Sequence, residues 1–357
     1  MSEPKQTGKI VDSLNQLYSL GVWDINQSGD DDSQAVTGAK SSWSPCPICE
    51  SLVAAPAFRL EGMPEQVWTC EKCGLGQLIP RPDADRLATF YPAAYYGTQG
   101  AKFEWLTESL IRVLSWRRAQ FLVRDLPAGA RVLDIGCGRG TILTAIARLS
   151  FEAHGLERDS AATTGIKGDI TVRIASDLNA AAYPAQFFQL VVLWHVLEHL
   201  SDLSTTIQEI HRLLAPGGRL VIAVPNFSSR QARWAGADWF HLDLPRHLFH
   251  LPAEALRKLL ENNGFEVRSE HHFSLRHNPF GWVQSWLNRL GWFPRNGLYV
   301  SLQRHETAAH FTWRTRCLMR LCYYLLMPFA VLLSIHDSLI RRGATVHVVA
   351  VRPMSSV

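Results

Sequence analysis

Between Arg131 and Asn226 the chain alternates short apolar runs with longer amphipathic stretches. Arg131 to Ile135 is an apolar run that ends in Gly136-Cys137-Gly138-Arg139-Gly140, and Thr141 to Ser150 continues with helical spacing. Phe151 to Leu156, Thr171 to Ala175 and Gln189 to Trp194 read as further strands, and Arg219 to Pro225 as a fifth after the turn Pro216-Gly217-Gly218. Strands that alternate with helices predict a parallel α/β sheet. A sixth strand is expected near Phe265 to Phe273 and a last one at Thr345 to Val351.

The glycine-rich turn carries the first chemistry. Small residues at alternate positions let the backbone approach a ligand, and the following helix turns its amide end to the same spot. A dinucleotide site favours G-x-G-x-x-G and holds two phosphates, whereas this turn is G-x-G-x-G with Asp134 two residues before its first glycine. A carboxylate repels a pyrophosphate but attracts the ammonium and sulfonium of S-adenosylmethionine (SAM). Glu157, ending the second strand, can accept both ribose hydroxyls; Asp177 can accept from the adenine amino group while Leu178 covers the ring. Asp134, Gly136, Cys137, Gly138, Gly140, Glu157, Asp177, Leu178 and Trp194 form the candidate cofactor-binding set.

In this order, VLDIGCGRG, GLERD, VVLWHVLEHL and LAPGGRLVIAVPN resemble the core of class I SAM-dependent methyltransferases. The resemblance implies a Rossmann-like sheet of seven strands, the last antiparallel, and transfer of a methyl group from SAM. Phe187-Phe188-Gln189 stands where this family usually has an Asp, but at the strand end away from the ligand.

Four of the 7 cysteines make one pattern: Cys46-Pro-Ile-Cys49, then Cys70-Glu-Lys-Cys73-Gly. Two such knuckles close a tetrahedral four-sulfur site, with zinc expected in a structural role and iron the alternative. The leader that follows, through Tyr91, Tyr95 and Tyr96, resembles the zinc ribbon of bacterial methyltransferases acting on small molecules; those tyrosines either close over SAM or pack the leader on the core. Some ribosomal RNA methyltransferases also carry a C-x-x-C finger. A formal charge of only +4, with no basic-aromatic run, argues against a nucleic-acid partner.

Ligands of open α/β sheets lie outside the carboxyl ends of the strands, where the loops after strands four and five are rich in histidine. His195, His241 and His247 are the candidate catalytic residues, as bases or acceptor-binding groups. A metal site of His241, Asp243, His247 and His250, or a structural role with Arg246 paired to Asp243 or Glu198, are the other readings.

Ser274 to Gly343 replaces the usual short connection between the last two strands. Leu321 to Ile335 is apolar, interrupted by Pro328 and flanked by Arg314, Arg316, Arg320, Arg341 and Arg342. The run reads as too short and broken to span a membrane; a peripheral membrane contact through residues 314–342 and a buried helical hairpin capping the pocket or pairing two subunits both fit it. With 47% apolar residues in 357, the expected plan is a leader at 1–44 with a short helix at Lys9 to Leu20, a zinc ribbon at 45–82, a helical connector at 83–128, the SAM-binding core at 129–273, the apolar insertion at 274–343 and the last strand and tail at 344–357. Met1 to Ser44 offers no apolar signal core, which points to the cytoplasm. The expected function is methyl transfer at oxygen or carbon to a small-molecule, sugar or lipid-linked acceptor; an RNA methyltransferase and a SAM-binding module that recruits a partner at a membrane are the alternatives.

Overall fold

The computed structural model describes residues 25–27, 45–51, 53–60, 64–91, 105–302 and 311–354. Among them, strands form two sheets. The small sheet holds β1 (Ile25–Gln27), β2 (Val53–Leu60), β3 (Gln66–Cys70), β4 (Gly76–Ile79) and β10 (Phe249–His250), in that order. The large one holds β5 (Arg131–Ile135), β6 (Glu152–Glu157), β7 (Ile170–Ile174), β8 (Phe188–Trp194), β9 (Leu214–Pro225), β11 (Glu266–His271) and β12 (Thr345–Val351), in the spatial order β11-β12-β9-β8-β5-β6-β7. Pairings from β7 to β9 are parallel, and β12 runs antiparallel to both β9 and β11. This is the seven-stranded sheet with an antiparallel last strand that the motif order implies. The rest of the expected leader, with its helix at Lys9 to Leu20, lies outside the described residues, as do Tyr95 and Tyr96.

The helices are α1 (Ala84–Thr89), α2 (Trp105–Val123), α3 (Thr141–Ala147), α4 (Ser160–Thr163), α5 (Leu203–Leu213), α6 (Arg230–Ala235), α7 (Ala253–Asn262), α8 (Asn278–Leu290), α9 (Gly297–Ser301) and α10 (Trp313–Leu339). Central strands such as β8 are apolar throughout because helices cover both faces of the sheet. On one face α2 and α3 bury Ala119, Leu122, Leu143 and Ile146 over β5 and β6. On the other, α5 packs Leu203, Ile207, Ile210 and Leu213, one turn apart, and Asp202 caps its start by accepting from Thr205 N–H at 3.0 Å. β9 begins at Leu214, five residues before the expected start, so Pro216-Gly217-Gly218 lies inside the strand; the register between β8 and β9 shifts there, from Phe188 opposite Leu214 to Leu190 opposite Arg219.

The small sheet is continuous with the core. β4 pairs with β10, a piece of the loop after β9, and Ile48, Val67, Leu75 and Leu78 share one buried cluster with Leu193, Ile207 and Leu256. The insertion has a cluster of its own, in which Trp282, Val283 and Leu287 of α8 meet Leu298, Met319 and Ala330. α10 is a single helix across Pro328, where a break was expected: Pro328 has no N–H for the Tyr324 carbonyl, and Tyr324 is exposed and Pro328 half-buried, so the missing bond falls toward the helix's outer side and not in its packed face.

Candidate active site

β5 delivers Asp134 and then turns sharply, because Gly136 sits at φ 67°, Gly138 at φ 50° and Gly140 at φ 69°. The glycines serve different ends. A Cβ on Gly136 would lie 2.6 Å from Val196 and one on Gly140 2.6 Å from Ile166, whereas above Gly138 there is open space. Gly138 therefore leaves its backbone open to the approach of a ligand. Its N–H donates to Glu157 Oε2 at 2.8 Å, and Arg158 N–H donates to Oε1 at 2.8 Å, so the end of β6 braces the turn while each oxygen keeps acceptor capacity. Cys137 turns inward beneath the loop, toward Gly155.

Asp134 is buried, and burial pushes its carboxyl up to about 7, opposed by the Arg118 guanidinium and reinforced by Glu157. A carboxylate held this way gains from an incoming cation. Arg118, on α2, stacks 3.7 Å over the Trp194 ring, and burial lowers it to about 9. Trp194 also touches the His347 ring at 4.6 Å, and its Nε1 is buried without a partner among the described residues. Asp177 is exposed and accepts from Ala180 N–H at 2.9 Å; Leu178 packs into the main core. Asp134, Gly138, Glu157 and Trp194 thus surround the carboxyl ends of β5, β6 and β8, with Asp177 just past the end of β7.

The histidines gather one layer further out. His195 follows β8 in a left-handed conformation, φ 55°, which a non-glycine residue adopts at a cost of about 1–3 kcal/mol. Its Nδ1 lies 3.3 Å from Glu198 Oε1, leaving Nε2 buried and without a partner among the described residues. Burial holds His195 down to about 3, helped by Arg118 and Arg276, so its ring is neutral at physiological pH; burial pushes Glu198 up to about 7. His277 stacks edge-on at 4.3 Å. His241 and His247 are engaged by backbone: His241 Nε2–H donates to the His277 carbonyl at 3.3 Å, and His247 Nδ1–H to the His241 carbonyl at 3.1 Å. Arg246 pairs with Asp243. Tyr91 places its hydroxyl 2.9 Å from His199 Nδ1, and Arg158 lies 5.2 Å over its ring, so this leader residue bridges the two layers.

Two groups of side chains have metal-binding geometry. The four knuckle sulfurs lie within 4.8 Å of one another, with 3.4 Å between Cys46 and Cys73 and between Cys49 and Cys70. Tetrahedral zinc with bonds of about 2.3 Å spaces its sulfurs roughly 3.8 Å apart, so the donor set fits. Both knuckles turn alike, the residue after the second cysteine being left-handed: Glu50 at φ 58° and Gly74 at φ 71°. In the histidine layer the grouped ligand atoms are those of Glu198, His199 and His247, not the expected set of His241, Asp243, His247 and His250.

Sequence reasoning missed Arg118, Arg276, His277 and His347. Each is a single polar residue in an otherwise ordinary helix, loop or strand, and only the fold brings it to the site.

A glycine turn flanked by acids at successive strand ends, on a sheet of this order, is the arrangement of class I SAM-dependent methyltransferase domains. Residues 107–270 match the methyltransferase-domain family. Over 157 residues the chain is 32% identical to a ubiquinone biosynthesis O-methyltransferase of Xanthomonas axonopodis pv. citri, covering 40% of this chain and 64% of that relative. A probable S-adenosylmethionine-dependent methyltransferase of Mycolicibacterium smegmatis is 32% identical over 149 residues, 39% of this chain and 53% of that one. The chain thus spans 53 to 64% of the length of these curated relatives. A solved SAM-dependent methyltransferase from Archaeoglobus fulgidus aligns with 69% of this chain and 98% of its own, at 19% identity and a TM-score of 0.44.

Proposed function

We propose that the protein methylates a hydroxyl or carbon acid of a small-molecule or lipid-linked acceptor, with SAM as donor and His195 as general base. The observation that carries this reading is the unpartnered, buried Nε2 of His195, whose other nitrogen is fixed by Glu198. With Nδ1 held by Glu198, Nε2 is the nitrogen left to take the acceptor proton. The similarity to ubiquinone biosynthesis O-methyltransferases supports an oxygen acceptor.

Bound SAM supplies a methyl group on a positive sulfur. Asp134 attracts its positive amino-acid end, Arg118 its carboxylate, and Glu157 the ribose hydroxyls, while Asp177 and Leu178 lie on the adenine side. His195 Nε2 takes the acceptor proton as the methyl group transfers, so the acceptor gains CH3, S-adenosylhomocysteine leaves and the imidazolium releases its proton to solvent. His241 and His247 act as positioning residues through the carbonyls they hold. Cys46, Cys49, Cys70 and Cys73 hold zinc, which fixes the two knuckles and takes no part in the chemistry.

The test is turnover on a host extract followed by mass spectrometry, seeking a compound that gains one methylene in mass. His195→Ala should lower kcat roughly 10²- to 10⁴-fold with SAM affinity retained. Undiminished turnover in that variant removes His195 from the mechanism, and SAM binding without any methylated product favours the non-catalytic reading.

A further inference from the structure

We propose that α10 and the arginines at its two ends seat the protein on an anionic lipid bilayer, with the helix lying in the plane of the membrane surface. Its outward face is a continuous apolar stripe. Leu318, Leu321, Leu325, Phe329, Leu332, Ile335 and Leu339 follow one another at spacings of three or four residues, and all are exposed, Leu339 at 79%. Tyr324 and Trp313, exposed at 71% and 66%, stand on the same helix, and Trp292, exposed at 75%, follows α8. Tryptophan and tyrosine favour the level of lipid headgroups.

The inward face is fixed to the domain along its whole length. Met319 packs under Gly297 near the start, Ala330 joins the α8 cluster in the middle, and near the end Asp337 pairs with Arg230 at 3.2 Å and accepts from Trp282 Nε1 at 3.1 Å. By length and composition α10 could cross a membrane. A helix of about 40 Å bound this way along one side cannot do so without carrying the polar domain with it, so it lies flat.

Charge selects the occupant. Asp337 is the single acid on α10, and it is buried. Arg314 and Arg316 stand at the start of the helix; beyond its end a cleft is lined by Arg233, Arg257, Arg341 and Arg342, with Glu254 and Glu270 among them, so cations outnumber acids there. Arg341 pairs with Glu270, while Arg233 and Arg342 have no acidic partner among the described residues. A second copy of the chain would set these cations against one another whether the helices paired parallel or antiparallel. Lipid phosphates neutralise them.

The full chain, without SAM, is sedimented with vesicles of phosphatidylcholine alone or mixed with phosphatidylglycerol. It should partition to the mixed vesicles, release as salt rises, and show tryptophan quenching by brominated lipid. The combined variant Leu325→Glu, Phe329→Glu, Leu332→Glu should lose roughly ten-fold or more in partitioning with an unchanged melting curve, since these side chains leave no cavity; Arg314→Glu with Arg342→Glu should lose a similar factor on anionic vesicles only. Half-buried Leu326 packs inward and is left intact. Absence of the wild-type chain from mixed vesicles, or quenching and partitioning unaltered by either variant, overturns the proposal. So does a dimer that the apolar variant splits, which would give the face to a second copy. Because no SAM is present, these outcomes are independent of methyl transfer.

Discussion

At the scale of single residues, the site is a set of charges kept out of water until a ligand arrives. Asp134 shows the sign of the effect. Its carboxyl is pushed up to about 7 by burial, above its ordinary value of 3.8, so its contribution to stability is present below the ordinary value and is lost as pH rises through about 7. SAM brings positive charge to that carboxylate. The gap in melting temperature between the free and SAM-bound protein should therefore widen between about pH 6 and pH 8, with a proton released on binding at the lower pH, and Asp134→Asn should flatten the trend. A gap independent of pH in the wild type would show that Asp134 does not face the cofactor. Glu157 works through hydrogen bonds: it braces Gly138 and Arg158 and retains lone pairs for ribose. Glu157→Ala should weaken SAM by about 1.5–3 kcal/mol in a calorimetric titration, and an unchanged titration would count against the ribose role.

At the scale of elements, legibility follows locality. The strands and glycine turn from Arg131 to Pro225 declared themselves because each carries its signal in a few consecutive residues: an apolar run, a helix-spaced stretch, an acid at the strand end. β12 was legible for the same reason, as Thr345–Val351. Contacts made across the fold were not. Arg118 reaches Trp194 from α2 across a long sequence separation, and nothing near residue 118 announces it. The Pro328 signal was read as a break because local rules weigh the missing N–H and not the exposed side on which the free carbonyl falls. α8 is held by polar links that no period predicts: Gln231 Nε2–H donates to the Asn278 carbonyl at 3.1 Å and Phe240 N–H to Ser285 Oγ at 3.0 Å. Close packing adds to them, since a Cβ on Gly281 would lie 2.5 Å from His241 Nε2. Gly281→Val should thus displace His241 and His277, raising KM for the acceptor more than it alters SAM affinity; equal losses in both would mean a general loss of packing.

At the scale of the molecule, the small sheet with its four-cysteine knuckles and the methyltransferase core are joined, and the coupling has a measurable sign. Asn262 Nδ2–H donates to the Ile48 carbonyl at 3.0 Å and Ser204 Oγ–H to the Pro47 carbonyl at 3.1 Å, so α7 and α5 grip the first knuckle. β4 pairs with β10, and Gly76 leaves room for His250, whose Cβ would lie 2.9 Å from a Cβ there. β10 ends the loop that carries His241 and His247, so the order of the small sheet reaches these histidines through covalent chain. Metal removal should act on both units: a strong chelator, or Cys73→Ser, should lower the temperature of a single cooperative melting transition. As a metal-free route to the same coupling, Gly76→Val should raise the acceptor KM while leaving the SAM titration near the wild-type value, because the glycine turn and Glu157 belong to other strands. Two separate transitions, with the SAM-responsive one unmoved by chelator, would establish instead that the ribbon folds and unfolds alone and that the β4–β10 pairing contributes nothing to the acceptor site.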